Sequence, residues 1–257
     1  MSDTILRAEN ISVAFGGLVA LGGVSIEMAR GTFTGLIGPN GSGKTTMINA
    51  ISGVNRRAGG AITLNGQRID HLKLVERARI GVSRTFQNLR LFDTLSVIEN
   101  VMVGAHRVFS HSAFESCLQT GRARRELREQ RAFAEDLLSV FGGRLLPRLD
   151  HQVVMLSYAN RRRVEIARAL MSRPSVLLLD EPSAGMNPQE TEDAATHLQI
   201  LAAKSGCSVL VVEHKMDFIS TLCSHVYVLD HGVCLAEGAP GTVQQDPKVA
   251  EAFLGVE

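Results

Sequence analysis

In the first third of the chain, apolar residues come in short runs, ILRAENISVAF (5–15), VSIEM (24–28), TFTGLIG (32–38) and AITLNG (61–66). Runs of this length with partial alternation predict strands. Asn65-Gly66 at the end of the last run predicts a type I′ hairpin turn, because both of its central positions need positive φ. From residue 97 to about 141 the period becomes helical. GRARRELREQRAFAEDLLSVF places Leu127, Ala134, Leu137, Leu138 and Phe141 on one stripe. Arg122–Glu126, Arg125–Glu129 and Arg131–Glu135 fall at i,i+4 on its solvated face. Further on, SVLLLD reads as a fully buried strand of the parallel type. A helix at about 189–204, a strand SVLVVE, another helix and a closing hairpin VYVLDHGVCLAEG follow.

The order is mixed β, then mostly helical, then alternating β and α, with no internal repeat or low-complexity linker. This predicts an α/β core with an α-helical subdomain inserted in its middle. The expected division is 1–86 with 173–257 for the core and 87–172 for the insertion.

One stretch does not fit a simple helix reading. MLSYANRRRVEIARALM (155–171) begins a helix with three consecutive arginines, Arg161, Arg162 and Arg163. Cations near a helix N-terminus oppose its dipole by about 0.3–1 kcal/mol each when exposed. Ser157 or Asn160 can cap the helix and Arg161 can pair with Glu165, yet neither accounts for the clustering. The arginines form a nucleic-acid patch, a tolerated surface feature, or a receptor for an anion brought from elsewhere.

Composition narrows this choice. The chain has 257 residues and a formal net charge of +1, with 45% apolar and 21% charged residues. That is an ordinary globular balance and argues against a nucleic-acid partner. The four cysteines (Cys117, Cys207, Cys223, Cys234) lack CxxC or zinc-finger spacing and read as reduced structural thiols. The N-terminus has no secretory signature, and no run approaches the ~18 apolar residues of a spanning helix. Any work at a membrane is therefore expected to go through a partner.

The most specific chemistry lies in GLIGPNGSGKTT. Gly38-Pro39-Asn40-Gly41-Ser42-Gly43-Lys44-Thr45 fits G-x-x-x-x-G-K-[ST], and Thr46 follows, between an apolar strand and a helix. Glycines in such a loop let successive N–H groups converge on one anion, and the helix N-terminus adds its positive end. Lys44 is placed to bridge β- and γ-phosphates, and the Thr45 hydroxyl to ligate Mg²⁺. Asp180, at the end of VLLLD, is the matching acid to hold Mg²⁺ through water, and Glu181 beside it is the expected general base.

With these two motifs in place, the chain resembles the nucleotide-binding subunit of an ABC transporter along nearly its whole length. GPNGSGKTT corresponds to Walker A and VLLLDE to Walker B. The resemblance implies that Gln87 in RTFQ is the Q-loop glutamine, touching Mg²⁺ and the attacking water and sensing the transmembrane partner. MLSYANRRRVEIARAL occupies the place of the LSGGQ signature, and PSAGMNP that of the D-loop. His214 in VVEHKM matches the switch histidine at the γ-phosphate, and Phe15 the aromatic that stacks on adenine. Two such subunits dimerise head to tail, so the anion facing the arginine helix would be the ATP of the other subunit. Ser157, kept from the signature, is the expected phosphate donor. Ala159 replaces a signature glycine, and Asn160 shortens the glutamine after it by one methylene. A Cβ at 159 would push backbone and phosphate apart, or strain the chain if φ there is positive, which predicts a slower composite site.

RTFQNLRLFDTLSVIENVMVGAH, FGGLVAL and the tail HGVCLAEGAPGTVQQDPKVAEAFLG are similar to LivG-type subunits of branched-chain amino-acid importers. That resemblance implies a second, LivF-like ATPase or a second copy as dimer partner. It also implies two transmembrane permeases, a periplasmic substrate-binding protein, and a place on the cytoplasmic face of the inner membrane. Urea or short-amide importers of the same branch and a lipopolysaccharide-export ATPase are the alternatives. A soluble ABC protein acting on DNA or ribosomes would need extra domains and usually a basic face.

Overall fold

The computed structural model describes residues 3–55, 58–107 and 121–254. The part of the expected helical stretch at 108–120, including Cys117, lies outside the described residues. The chain forms two compact units, Met1–Gln87 with Ser175–Glu257, and Asn88–Pro174.

The first unit holds two sheets. Strands β1 (Thr4–Phe15), β2 (Leu18–Ala29), β4 (Gly59–Leu64) and β5 (Gln67–Arg68) form an antiparallel sheet in the order β2-β1-β4-β5. Its β4–β5 turn has positive φ at both Asn65 (50°) and Gly66 (75°), as the type I′ expectation requires. The second sheet runs β10-β9-β3-β8-β7-β6. Its parallel strands are β3 (Phe33–Ile37), β6 (Val82–Arg84), β7 (Val176–Asp180), β8 (Ser208–Val212) and β9 (His225–Asp230), and β10 (Val233–Gly238) closes it as an antiparallel hairpin. Every residue of β7 and β8 is buried, the signature of strands covered on both faces. Leu36, Leu178, Leu210 and Leu229 from this sheet join Ile5, Ile11, Val24 and Ile62 from the other in one core around helix α1 (Lys44–Ser52).

Helix α1 ends at Gly53, whose φ of 80° is the left-handed stop, and its last carbonyls are met from outside. The buried Arg77 of α2 (Leu74–Ile80) donates to the carbonyls of Ala50 at 2.6 Å and Ile51 at 2.7 Å. Burial lowers the guanidinium's pKa from its ordinary value, against the pull of the Asp70 charge. Later in this unit, α6 (Pro188–Ser205) starts with a reciprocal cap. Glu190 N–H donates to Asn187 Oδ1 at 2.9 Å, and Asn187 N–H to Glu190 Oε2 at 3.2 Å. Helices α7 (Met216–Leu222), α8 (Pro240–Gln244) and α9 (Pro247–Leu254) complete the unit.

The second unit packs α3 (Val97–Val103), α4 (Gly121–Ser139) and α5 (Tyr158–Met171). All three i,i+4 ion pairs expected on α4 form, at 3.3, 3.0 and 2.9 Å. Exposed pairs of this kind contribute about 0.3–0.5 kcal/mol each. One stripe expectation needs correction. Leu127 is exposed, and the buried face of α4 instead includes Ala123 and Gln130 with Ala134, Leu137 and Leu138. Nothing in its spacing explains why Leu127 is left out.

Helices α3 and α5 approach closely at Gly104, where an added Cβ would lie 2.0 Å from the carbonyl oxygen of Arg168 and 2.9 Å from Met171 Cβ. Neither neighbour is a flexible side-chain end, so a larger residue must push the helices apart. Gly104→Ala is therefore expected to destabilise the protein by about 1–3 kcal/mol. The check is the thermal unfolding midpoint of the purified variant, which should fall by several degrees.

Candidate functional site

The glycine-rich loop expected to bind phosphate runs from the C-terminal end of β3 to α1, and its shape depends on glycine at Gly38. There φ is 146°, and a Cβ would sit 2.0 Å from the Leu229 carbonyl oxygen and 2.8 Å from Ser42 Oγ. Only glycine fits both the dihedral and the space. Within the loop, Lys44 is buried and its ammonium donates to the carbonyls of Gly38 and Pro39, each at 2.8 Å. Burial lowers the Lys44 pKa, opposed by the charges of Glu181 and Asp180. That opposition brings both acids within electrostatic reach of the loop. Ser42 Oγ is buried without a hydrogen-bond partner, an unmet polar atom inside an anion cradle. Thr45 is exposed and Thr46 half-buried in the first turn of α1.

Asp180 ends the buried strand β7, and the structure gives it a companion that sequence reading missed. Arg84, at the end of the neighbouring strand β6, places Nη2 3.0 Å from Asp180 Oδ2, with both side chains buried. The same guanidinium reaches Asn49 Oδ1 at 2.5 Å and Ser52 Oγ at 3.2 Å on α1, and its charge lies over the Phe86 ring. One cation thus ties the loop helix and the acid-bearing strand together, and balances a buried carboxylate that would otherwise be costly. Strand pairing of β6 with β7 puts Arg84 beside Leu178, a register that no single-strand pattern reveals.

Immediately beyond, Glu181 has φ 48°, a left-handed conformation costing a non-glycine residue about 1–2 kcal/mol. Its N–H is held by the Val212 carbonyl at 2.9 Å. Gln87, 94 positions away in sequence, donates from Nε2 to Glu181 Oε2 at 3.3 Å. The expected Q-loop glutamine and the expected general base are therefore in contact. His214 follows β8, and its side chain is 55% exposed, open to an incoming group. Phe15 is 58% exposed at the end of β1. An exposed aromatic ring there leaves a face free for a stacked base.

Among the described residues no group of three or more His, Cys, Asp or Glu side chains could hold a metal ion. The Thr45 hydroxyl and the Asp180 carboxylate supply two oxygen donors. A cation here needs phosphate oxygens and water to complete its shell, a donor set that suits Mg²⁺.

In the second unit, Ser157 caps α5. Its hydroxyl accepts from Asn160 N–H at 3.4 Å and keeps its own proton to donate outward. Two expectations are corrected here. Ala159 is only 4% exposed and lies in the first turn of α5 without a positive φ, so its methyl group does not strain the backbone. The exposed positions at this helix start are Ser157 and Tyr158. Glu165 pairs with Arg162 at 2.6 Å rather than with Arg161.

The arginine cluster, too, is turned inward. Arg162 and Arg163 are 0% and 2% exposed, with Arg163 donating to Asn160 Oδ1 at 2.8 Å. Arg161 donates to the carbonyls of Leu156, at 3.1 Å, and Val154. These contacts lie on the turn before the helix and on its own first two turns.

A family model described as ABC transporter matches residues 21–184. The chain is 37% identical over 255 residues to the high-affinity branched-chain amino acid transport ATP-binding protein BraF of Pseudomonas aeruginosa, covering 99% of each chain. It is equally similar, at 37% over 99% of each chain, to LivG of Escherichia coli K12, whose name describes the same transport role. Among solved structures, an ATP-binding cassette of an ABC transporter in its ADP conformation matches with a TM-score of 0.84 at 35% identity, covering 98% of this chain and 99% of that one. A nucleotide-free cassette matches with a TM-score of 0.82 at 34% identity, covering 97% and 98%.

Proposed function

Since the chain belongs to the ABC transporter family, as an ATP-hydrolysing cassette, we propose that it powers uptake of branched-chain amino acids through separate membrane permeases. The observation that carries the substrate is end-to-end identity to BraF and LivG. The contact between Gln87 and Glu181 beside Lys44 supports the chemistry.

In this reading ATP lies along the loop with its adenine on Phe15. Lys44 exchanges the carbonyls of Gly38 and Pro39 for β- and γ-phosphate oxygens. Backbone N–H groups of the loop from Gly38 to Thr46, Pro39 having none to give, cradle the rest, among them those of Asn40, Gly41, Ser42 and Gly43. Thr45, Asp180 and Gln87 would hold Mg²⁺, which when bound neutralises phosphate charge. Glu181 takes a proton from the attacking water as its oxygen bonds to the γ-phosphorus and the bond to the β-γ bridging oxygen breaks. His214 contacts the γ-phosphate. Ser157 in turn reaches across to the ATP held by a second ATPase, a LivF-like subunit or another copy, whose signature helix closes this site from the other side.

No helix among the described residues is long and apolar enough to cross a membrane, in keeping with a peripheral subunit held at the cytoplasmic face by permeases. A periplasmic binding protein would deliver the solute. The test is uptake of radiolabelled leucine, isoleucine and valine in cells of the source organism lacking this chain. Uptake is expected to fall about tenfold or more and to return with the parent chain but not with Glu181→Gln. Unchanged amino-acid uptake with loss of urea uptake would refute the substrate assignment.

A further inference from the structure

His214 is flanked by two charged residues that the mechanism above does not use, and both reach the same short turn. Glu213 is fully buried. Its Oε1 accepts from Ser183 N–H at 2.9 Å, and its Oε2 accepts from His214 N–H at 3.1 Å. Lys215 donates from Nζ to the carbonyl of the same Ser183 at 3.2 Å, to that of Met186 at 3.4 Å, and to Thr191 Oγ1 at 3.4 Å. The Ser183 residue is thus gripped at its N–H by an anion and at its C=O by a cation, both from the segment that carries His214. The turn so gripped starts at Glu181. Ala184 N–H closes back onto the Glu181 carbonyl at 3.2 Å, and Met186 N–H onto Ser183 at 3.2 Å.

A left-handed backbone at a glutamate persists only where its surroundings over-determine it. The Val212 carbonyl holds one side of Glu181, and the Ser183 grip holds the other. Resting on the ATPase reading above, we propose that Glu213 and Lys215 are positioning residues, which lock the turn after the general base to the switch-histidine segment so that Glu181 and His214 move as one body. Neither residue is among those given a nucleotide-binding role above. Their effect is on where the Glu181 carboxylate stands relative to the attacking water, and a misplacement of about 1 Å at such a group costs on the order of 100-fold in rate.

The substitutions discriminate sharply. Glu213→Gln keeps shape and volume but offers one acceptor and one donor where two N–H groups need two acceptors, so one contact is lost. Lys215→Met removes the cation from a half-buried site, and Lys215→Arg restores a donor of similar reach. The experiment measures steady-state Mg-ATP hydrolysis, binding of a fluorescent ATP analogue without Mg²⁺, and thermal unfolding, all on the full-length chain. For Glu213→Gln and Lys215→Met, kcat is expected to fall about 10- to 100-fold. KM and analogue affinity should stay within about twofold, the pattern of a transition-state effect. Lys215→Arg is expected to recover kcat to within about threefold of the parent.

The proposal is overturned if both variants keep kcat within about threefold of the parent. It is also overturned if kcat, KM and analogue binding worsen together with a collapsed unfolding midpoint, since the residues would then hold the fold rather than the base. A separate control, Glu181→Gln, tests the underlying reading. Hydrolysis that survives it removes Glu181 as base, and the clamp's purpose with it.

Discussion

Glu181→Gln is expected to reduce ATP hydrolysis by about 100- to 10,000-fold, the range for loss of a positioned general base. Nucleotide affinity should change little. Gln keeps the size of the side chain and can still accept from Gln87 Nε2, which now contacts Glu181 at 3.3 Å. What it cannot do is take the proton of the attacking water. The γ-phosphate then stays in place, and any dimer that closes over it stays closed, because the closed state is favoured only while that phosphate is bound. The measurement is the solution mass of the variant with and without Mg-ATP, alone and mixed with a candidate second ATPase, alongside phosphate release. An ATP-dependent dimer of the chain alone would identify a symmetric assembly. A dimer formed only in the mixture would identify the paired, LivF-like arrangement. Rapid turnover by the variant would remove Glu181 from the base role.

Lys44→Ala should abolish function one step earlier, at binding. Lys44 is buried in the loop, and its ammonium donates to two loop carbonyls at 2.8 Å, so its charge is aimed into the loop. Removing it deletes the cation facing the triphosphate while Asp180 and Glu181, whose charges act on that same ammonium, remain to repel the anion. Truncating one partner of a buried charged contact costs about 2–5 kcal/mol, or roughly 30- to 5,000-fold in Kd. Titration of the purified variant with a fluorescent ATP analogue reads this directly. Binding within a few-fold of the parent would mean the loop carbonyls, not phosphates, are the lysine's working partners.

The two variants separate cleanly: one binds and does not turn over, the other does not bind. Between them stands Arg84, paired with Asp180 and bonded to Asn49 and Ser52. It belongs to the strand that leads to Gln87, and the acid and the loop helix share this one buried cation.

Sequence alone determined the features that depend on neighbours along the chain. The G-x-x-x-x-G-K-T spacing, the buried strand ending in Asp180-Glu181, the Asn65-Gly66 turn and the three Arg–Glu pairs of α4 are all local, because dihedral demand and i,i+4 reach are set within a few residues. The tertiary structure alone decided which way a side chain faces and which distant group it meets. The arginines at 161–163 looked like a surface charge cluster, but packing turned Arg162 and Arg163 inward against Glu165 and Asn160. Ala159 looked like an obstacle at a surface, and burial withdrew it. Arg84 in RTFQ, and Glu213 and Lys215 in VVEHKM, lie in stretches where only Gln87 and His214 carry an expected role. Their partners lie 96, 30 and 32 positions away. Such pairings follow from strand order and register, which are fixed by burial of whole sheet faces rather than by any short run of residues.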